Sequence, residues 1–230
     1  MKIGLACSGC GPGAQYAYIL AEELTYLSLG PEMISCNSLP AAPMLLWSRG
    51  LPTDEIKKRT DRLFQEKESN QALSCFCTGL PCIQRCALAL NSVDLQTGTV
   101  VTWADGLHSK AGNLKVKPLR GAEKKALSAA MKPWYGKGTE KLGKFQLCDF
   151  SARYGCPLFP LKMAGMERIL SVVFTGQKDP AGAACESLSA LTGKHADLQY
   201  VLSPSKAQEP EKIKKFFLDH QDELYEKLLF

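Results

Sequence analysis

Apolar residues in this chain fall into short continuous runs, separated by stretches where they recur every three or four positions. The runs Lys2 to Cys7, Glu32 to Cys36, Ala87 to Val93, Phe145 to Cys148, Ile169 to Phe174 and Leu198 to Leu202 read as strands, most of them buried on both faces. Thr99 to Trp103 pairs back on Ala87–Val93 across the turn Asp94-Leu95-Gln96-Thr97-Gly98. Helical spacing begins near Gly13, with Ala14, Ala17, Ile19, Leu20, Leu24 and Leu27 on one face. It returns in Ala41 to Arg49, Pro52 to Phe64, Ala122 to Met131 (stopped by Pro133), Pro157 to Ala164 and Ala181 to Leu191. A last amphipathic helix is predicted from Pro210 to about Leu228. Between these elements, Gly106 to Gly121 reads as a long basic loop and Ser151 to Cys156 as a short one. Strands alternating with helices predict an α/β fold with a mostly parallel central sheet and helices on both faces. At 230 residues, the chain reads as a single domain, 1–230.

Composition changes this picture little. An apolar fraction of 45% supports a sizeable core, and no run is long enough to cross a bilayer. The opening residues read as a strand leading into a glycine loop, unlike a signal peptide, so a cytoplasmic location is expected. In that setting the ten cysteines read as free thiols, most of them buried. Cys75, Cys77, Cys82 and Cys86 are ligand types for zinc. Their spacing, C-x-C-x4-C-x3-C, is not the two-pair pattern, and the segment reads as a buried cysteine-rich turn; no metal and no cofactor is expected.

The net charge of +5 is unevenly placed. Lys110, Lys115, Lys117, Arg120, Lys124, Lys125, Lys132, Lys137, Lys141 and Lys144 share residues 110–144 with only Glu123 and Glu140. Such a block reads as a solvated face, or as peripheral contact with anionic head groups. No nucleic-acid motif or interleaved aromatics accompany it, so no nucleic acid is expected as a partner.

Two stretches carry chemistry. Ser8-Gly9-Cys10-Gly11-Pro12-Gly13 follows the first strand and opens a helix, which is an anion-binding layout. It matches neither G-x-G-x-x-G nor a P-loop. In Met33 to Pro40, a short strand is followed by Ser38 and then a helix start, the layout of a nucleophile elbow. Cys36 and Pro40 stand where G-x-S-x-G has its glycines, and a serine capping the following helix is the alternative role.

The order of these segments resembles the patatin-like phospholipases, a family of serine lipid acyl hydrolases. Gly4 to Gly13 is similar to the family's first strand and GGGxRG loop, and Cys36-Asn37-Ser38-Leu39-Pro40 falls at its GxSxG elbow, followed by Trp47-Ser48-Arg49-Gly50-Leu51. Asn91 to Gly98 resembles its "ATDLNTG" hairpin, and Ala126 to Pro133 its "AxxASxAxP" segment. Asp149-Phe150-Ser151, with Pro157 after it, sits where the family has DGG or DGA, and Gly165 to Val172 is similar to its closing "GADRIIAV" strand. The resemblance spans about Lys2 to Phe174.

It implies a three-layer sandwich and a dyad mechanism. Ser38 would attack an acyl ester or phospholipid carbonyl, Asp149 would act as its base without a histidine, and backbone N–H groups of Gly9, Cys10 and Gly11 would form the oxyanion hole. The loop lacks the family's arginine and the elbow its glycines, so a non-catalytic member that binds a lipid or a protein partner stays open. So does a triad of Ser38, Asp149 and either His195 or His220.

Overall fold

The structure is a computed structural model that describes residues 1–66, 70–109, 112–133 and 138–230. Its first half contains strands β1 (Ile3–Gly9), β2 (Met33–Cys36), β3 (Ala87–Asp94), β4 (Val100–Ala104) and β5 (Leu114–Lys117). Helices α1 (Tyr18–Tyr26), α2 (Ala41–Ser48), α3 (Thr53–Gln65), α4 (Asn70–Cys77) and α5 (Glu123–Met131) accompany them. The second half adds strands β6 (Glu140–Leu142), β7 (Phe145–Asp149), β8 (Arg168–Phe174) and β9 (Leu198–Leu202). With them come helices α6 (Phe159–Met163), α7 (Pro180–Gly193), α8 (Pro204–Ala207), α9 (Pro210–Asp219) and α10 (Gln221–Leu229).

All these strands join one sheet, ordered β5-β4-β3-β2-β1-β8-β9. β1, β2, β3, β8 and β9 run parallel, while β4 is antiparallel to β3. Register puts Leu170, Leu5, Ile34 and Leu88 in one row, all buried. The next row, Ser171, Ala6, Ser35 and Ala89, faces the other way, as the two-residue period of a strand requires. The large side chains pack against α1, α2, α5, α9 and α10 in the main core. Small side chains on the opposite face let α7 lie close, with Gly193 O accepting the Ser171 hydroxyl. α6 covers that same face through Leu161. The protein is therefore a three-layer α/β sandwich with a mostly parallel central sheet.

Several elements differ from the sequence reading. β5 lies inside the expected basic loop: Leu114 is buried while Lys115 and Lys117 are exposed, an alternation that fits an edge strand. β6 is a three-residue strand paired with β7. The cysteine segment begins as helix α4, because Ala72, Leu73 and Phe76 recur at helical spacing and are buried. Cys75 and Cys82 are exposed, so they are not part of a buried turn. The glycine loop opens into a 3-10 turn, Pro12–Tyr16, before α1 begins. α6 takes Pro160, not Pro157, in its first turn. The long C-terminal helix is two helices that break at His220, whose Nδ1 lies 2.7 Å from the Phe216 carbonyl.

Candidate active site

The two ends of β2 and β7 meet on one edge of β3. β2 pairs with Ala87–Leu90 and runs parallel to β3, whereas β7 pairs with Ser92–Asp94 and runs antiparallel. The opposite edge of β3 belongs to β4. β2 ends at Cys36 opposite Leu90, and β7 ends at Asp149 opposite Ser92. The two strands approach head to head, so the residues just past Cys36 land beside Asp149. Asp94 fixes β7 in that place: its Oδ1 accepts the Gln146 N–H at 2.7 Å, and its Oδ2 accepts the Thr97 N–H at 2.9 Å. The C-terminal end of α5 holds both site residues. Ala130 O accepts the Ser38 N–H at 2.9 Å, and Lys132 O accepts the Asp149 N–H at 2.7 Å. Helix ends leave carbonyls without intrahelical partners, and here two of them position the site.

Ser38 has φ +59°, the left-handed conformation that costs a non-glycine residue about 1–2 kcal/mol. The sharp turn lifts its side chain off the strand end ahead of α2. Its hydroxyl donates to Asp149 Oδ2 at 2.5 Å. Asn37 Nδ2 donates to Asp149 Oδ1 at 2.8 Å and to Ser38 Oγ at 3.1 Å. The Ser151 N–H donates to Asp149 Oδ1 at 2.9 Å, and the Ser151 hydroxyl stands 3.5 Å from that of Ser38. Ser38 is 1% exposed and Asp149 5%.

Burial pushes the Asp149 carboxyl above its ordinary value, against the hydrogen bonds from Ser38, Asn37 and Ser151 that favour the charged form. A carboxylate poised in this way is a stronger base than an exposed one. The hydrogen bond from Ser38 already lies along the path such a proton transfer would take.

The glycine loop is packed tightly. A Cβ on Gly9, which has φ +98°, would lie 2.0 Å from Phe174 O, and one on Gly11 would lie 2.1 Å from Thr175 O, so glycine is required at both. Of the three loop amides expected to face an oxyanion, those of Cys10 and Gly11 have other partners. Gly9 is the last residue of the β1–β8 ladder, and the Gly11 N–H donates to Phe174 O at 3.3 Å. The Cys10 N–H faces the buried Glu186 carboxylate of α7, which also accepts N–H groups of Gly176 at 2.8 Å and Gln177 at 3.2 Å. Burial raises the Glu186 carboxyl above the usual range. The Cys10 thiol points into the site, where it meets the Ser38 hydroxyl and the Leu39 N–H. Burial pushes that thiol well above its ordinary range and the charge of Asp149 adds to the rise, which keeps it neutral.

Neither histidine of the alternative triad bonds to Ser38 or Asp149. His195 is exposed in the turn after α7, and His220 stacks on Phe216 with ring centroids 4.0 Å apart. Among the described residues no group of three or more His, Cys, Asp or Glu is arranged to hold a metal ion. In the basic stretch, Lys115, Lys117, Arg120, Lys124, Lys125, Lys141 and Lys144 are exposed, while Lys110 and Lys137 lie outside the described residues. No helix among the described residues is long and apolar enough to cross a membrane.

Sequence reasoning gave no role to Asn37, Ser151, Asp94 or Glu186. Asn37 directly precedes Ser38 and Ser151 follows Asp149 by two positions, and that closeness was the available signal. Glu186 had none, because only the fold brings α7 against the loop. Compared with known proteins, the chain matches no protein-family model and no curated protein.

Proposed function

We propose that this protein is a serine acyl-ester hydrolase with a Ser38–Asp149 dyad, of the kind its resemblance to patatin-like phospholipases implies. One observation carries the reading: a serine in the left-handed conformation, at a strand-to-helix turn, donates a 2.5 Å hydrogen bond to a buried carboxylate. Asp149 takes the proton of Ser38 as Oγ attacks the ester carbonyl. The resulting oxyanion is stabilised by backbone N–H groups beside Ser38, those of Gly9 and of Leu39 ahead of α2. Collapse of this intermediate expels the alcohol, which leaves with the proton from Asp149, and an acyl-serine remains. Water, deprotonated by Asp149, then attacks the acyl-serine. Release of the acid returns the proton to Ser38. Asn37 holds Asp149 in line throughout, through its bond to Oδ1.

The test is turnover of short-chain nitrophenyl esters. Wild-type protein should hydrolyse them, and Ser38→Ala should lose about 10³-fold or more in kcat. Activity unchanged in Ser38→Ala would remove the proposal. A second reading is favoured by the 1% exposure of Ser38 and by the thiol seated on the Leu39 N–H: a non-catalytic relative that keeps the fold for binding. Absence of turnover together with absence of labelling at Ser38 by an acyl-mimicking probe selects it.

A further inference from the structure

A cavity of about 540 Å³ lies beside the site, beyond Phe150. That volume is within the roughly 300–1,000 Å³ of small-molecule sites. Its walls are apolar: Leu114 of β5, Phe150 after β7, and Leu158 before α6, with Phe159 at the rim, 41% exposed. Ser38 and Asp149 are not among its lining residues. The polar groups on its walls divide into two kinds. Tyr154 and Thr192 are committed, the tyrosine hydroxyl donating to Gly98 O at 2.8 Å and the threonine hydroxyl to Leu188 O at 2.9 Å. Asn113, Lys162 and His195 are exposed and offer N–H donors. No carboxylate lines the cavity among the described residues. Apolar walls joined by exposed cationic and N–H donors fit a ligand with an aliphatic tail and a single anionic head. It disfavours a cationic or fully polar ligand.

We propose that this cavity binds a free fatty acid of medium length, its chain against Leu114, Phe150 and Leu158 and its carboxylate at Lys162 and His195. The inference does not depend on the chemistry proposed for Ser38, because binding needs no bond to be made or broken. Calorimetric titration with octanoate, decanoate and dodecanoate below their micelle concentrations tests it. Each added methylene should tighten binding about fourfold until the cavity is filled. Dodecyltrimethylammonium, with the same tail and the opposite charge, should bind at least tenfold more weakly. Ser38→Ala should bind dodecanoate as the native protein does, which separates this result from the fate of the hydrolase proposal. Two substitutions at exposed positions keep the fold intact and probe the cavity. Lys162→Glu should weaken dodecanoate about fivefold, and Phe159→Glu should weaken it at least as much. No binding of dodecanoate, equal affinity for the cationic amphiphile, or indifference to both substitutions overturns the proposal.

Discussion

Replacing Asp149 by asparagine separates stability from chemistry at the site. The shape is nearly the same, and the new Oδ1 still accepts the N–H groups of Asn37 and Ser151 that now lie 2.8 and 2.9 Å away. The new amide N–H₂ turns the Ser38 hydroxyl from donor to acceptor, so the serine loses the base proposed for it. A buried carboxylate carries a desolvation penalty of several kcal/mol. Each hydrogen bond to it offsets about 1.5–3 kcal/mol. The raised carboxyl of Asp149 gives the sign of the balance: burial outweighs its three donors, and the folded state favours the neutral form. The variant should therefore be more stable than the native protein near neutral pH, by about 1–3 kcal/mol. For a chain of this size each kcal/mol raises Tm by about 2–4 °C. Because the folded carboxyl titrates above the unfolded one, its favourable contribution is complete below the unfolded value. It is lost as pH rises through the folded value, at up to about 1.4 kcal/mol per pH unit. The advantage of Asp149→Asn should accordingly shrink towards zero in acid. Urea unfolding of both proteins at a series of pH values measures this, and ester turnover of the variant should fall by about 10²–10⁴. A variant less stable than the native protein near neutral pH, or a gap that stays constant with pH, refutes the reasoning.

Two more substitutions follow from the same geometry. Asn37→Ala removes a donor to the charged form of Asp149, so the acid limb of the pH–rate profile should move to higher pH, and folding should lose about 1.5–3 kcal/mol; an unmoved limb contradicts the positioning role. Cys10→Ala frees the Leu39 N–H from the thiol, and acylation by an activated ester should speed up about twofold to fivefold for a contact of this strength; a slower reaction shows that the thiol assists instead of blocking.

Much of the fold was legible because its inner strands are buried on both faces, which prints an uninterrupted apolar run into the sequence. Ile3–Gly9, Met33–Cys36 and Arg168–Phe174 lie at the centre of the sheet, and their boundaries fall within a residue or two of the reading. The edges were less legible. β5 was hidden by lysines that alternate with Leu114 and Val116, since an edge strand half in water has the composition of a basic loop. β6 is too short to show any period. The break at His220 interrupts no pattern, because the apolar face of α9, with Ile213 and Phe217, continues in register into Leu224 and Leu228.

The site followed the same division. Ser38 was legible because it stands at the end of an apolar run where the chain turns into a helix, and Asp149 through the order of segments that resembles the patatin-like family. The amide donors were not. A glycine-rich loop announces that N–H groups can converge, but not which of them stay unpaired: the Gly11 N–H is taken by Phe174 O, on a strand more than 160 positions later. The cavity beyond Phe150 was invisible for a similar reason, since its walls come from the β5, β7, α6 and α7 regions, joined only by the fold.

The most direct test of the dyad is to treat the native protein with a fluorophosphonate and map the adduct by peptide mass spectrometry. A single adduct on Ser38 is predicted, forming at least a hundredfold more slowly in Asp149→Asn. No adduct on Ser38, or the same labelling rate without the carboxylate, contradicts the assignment of Asp149 as the base that activates it.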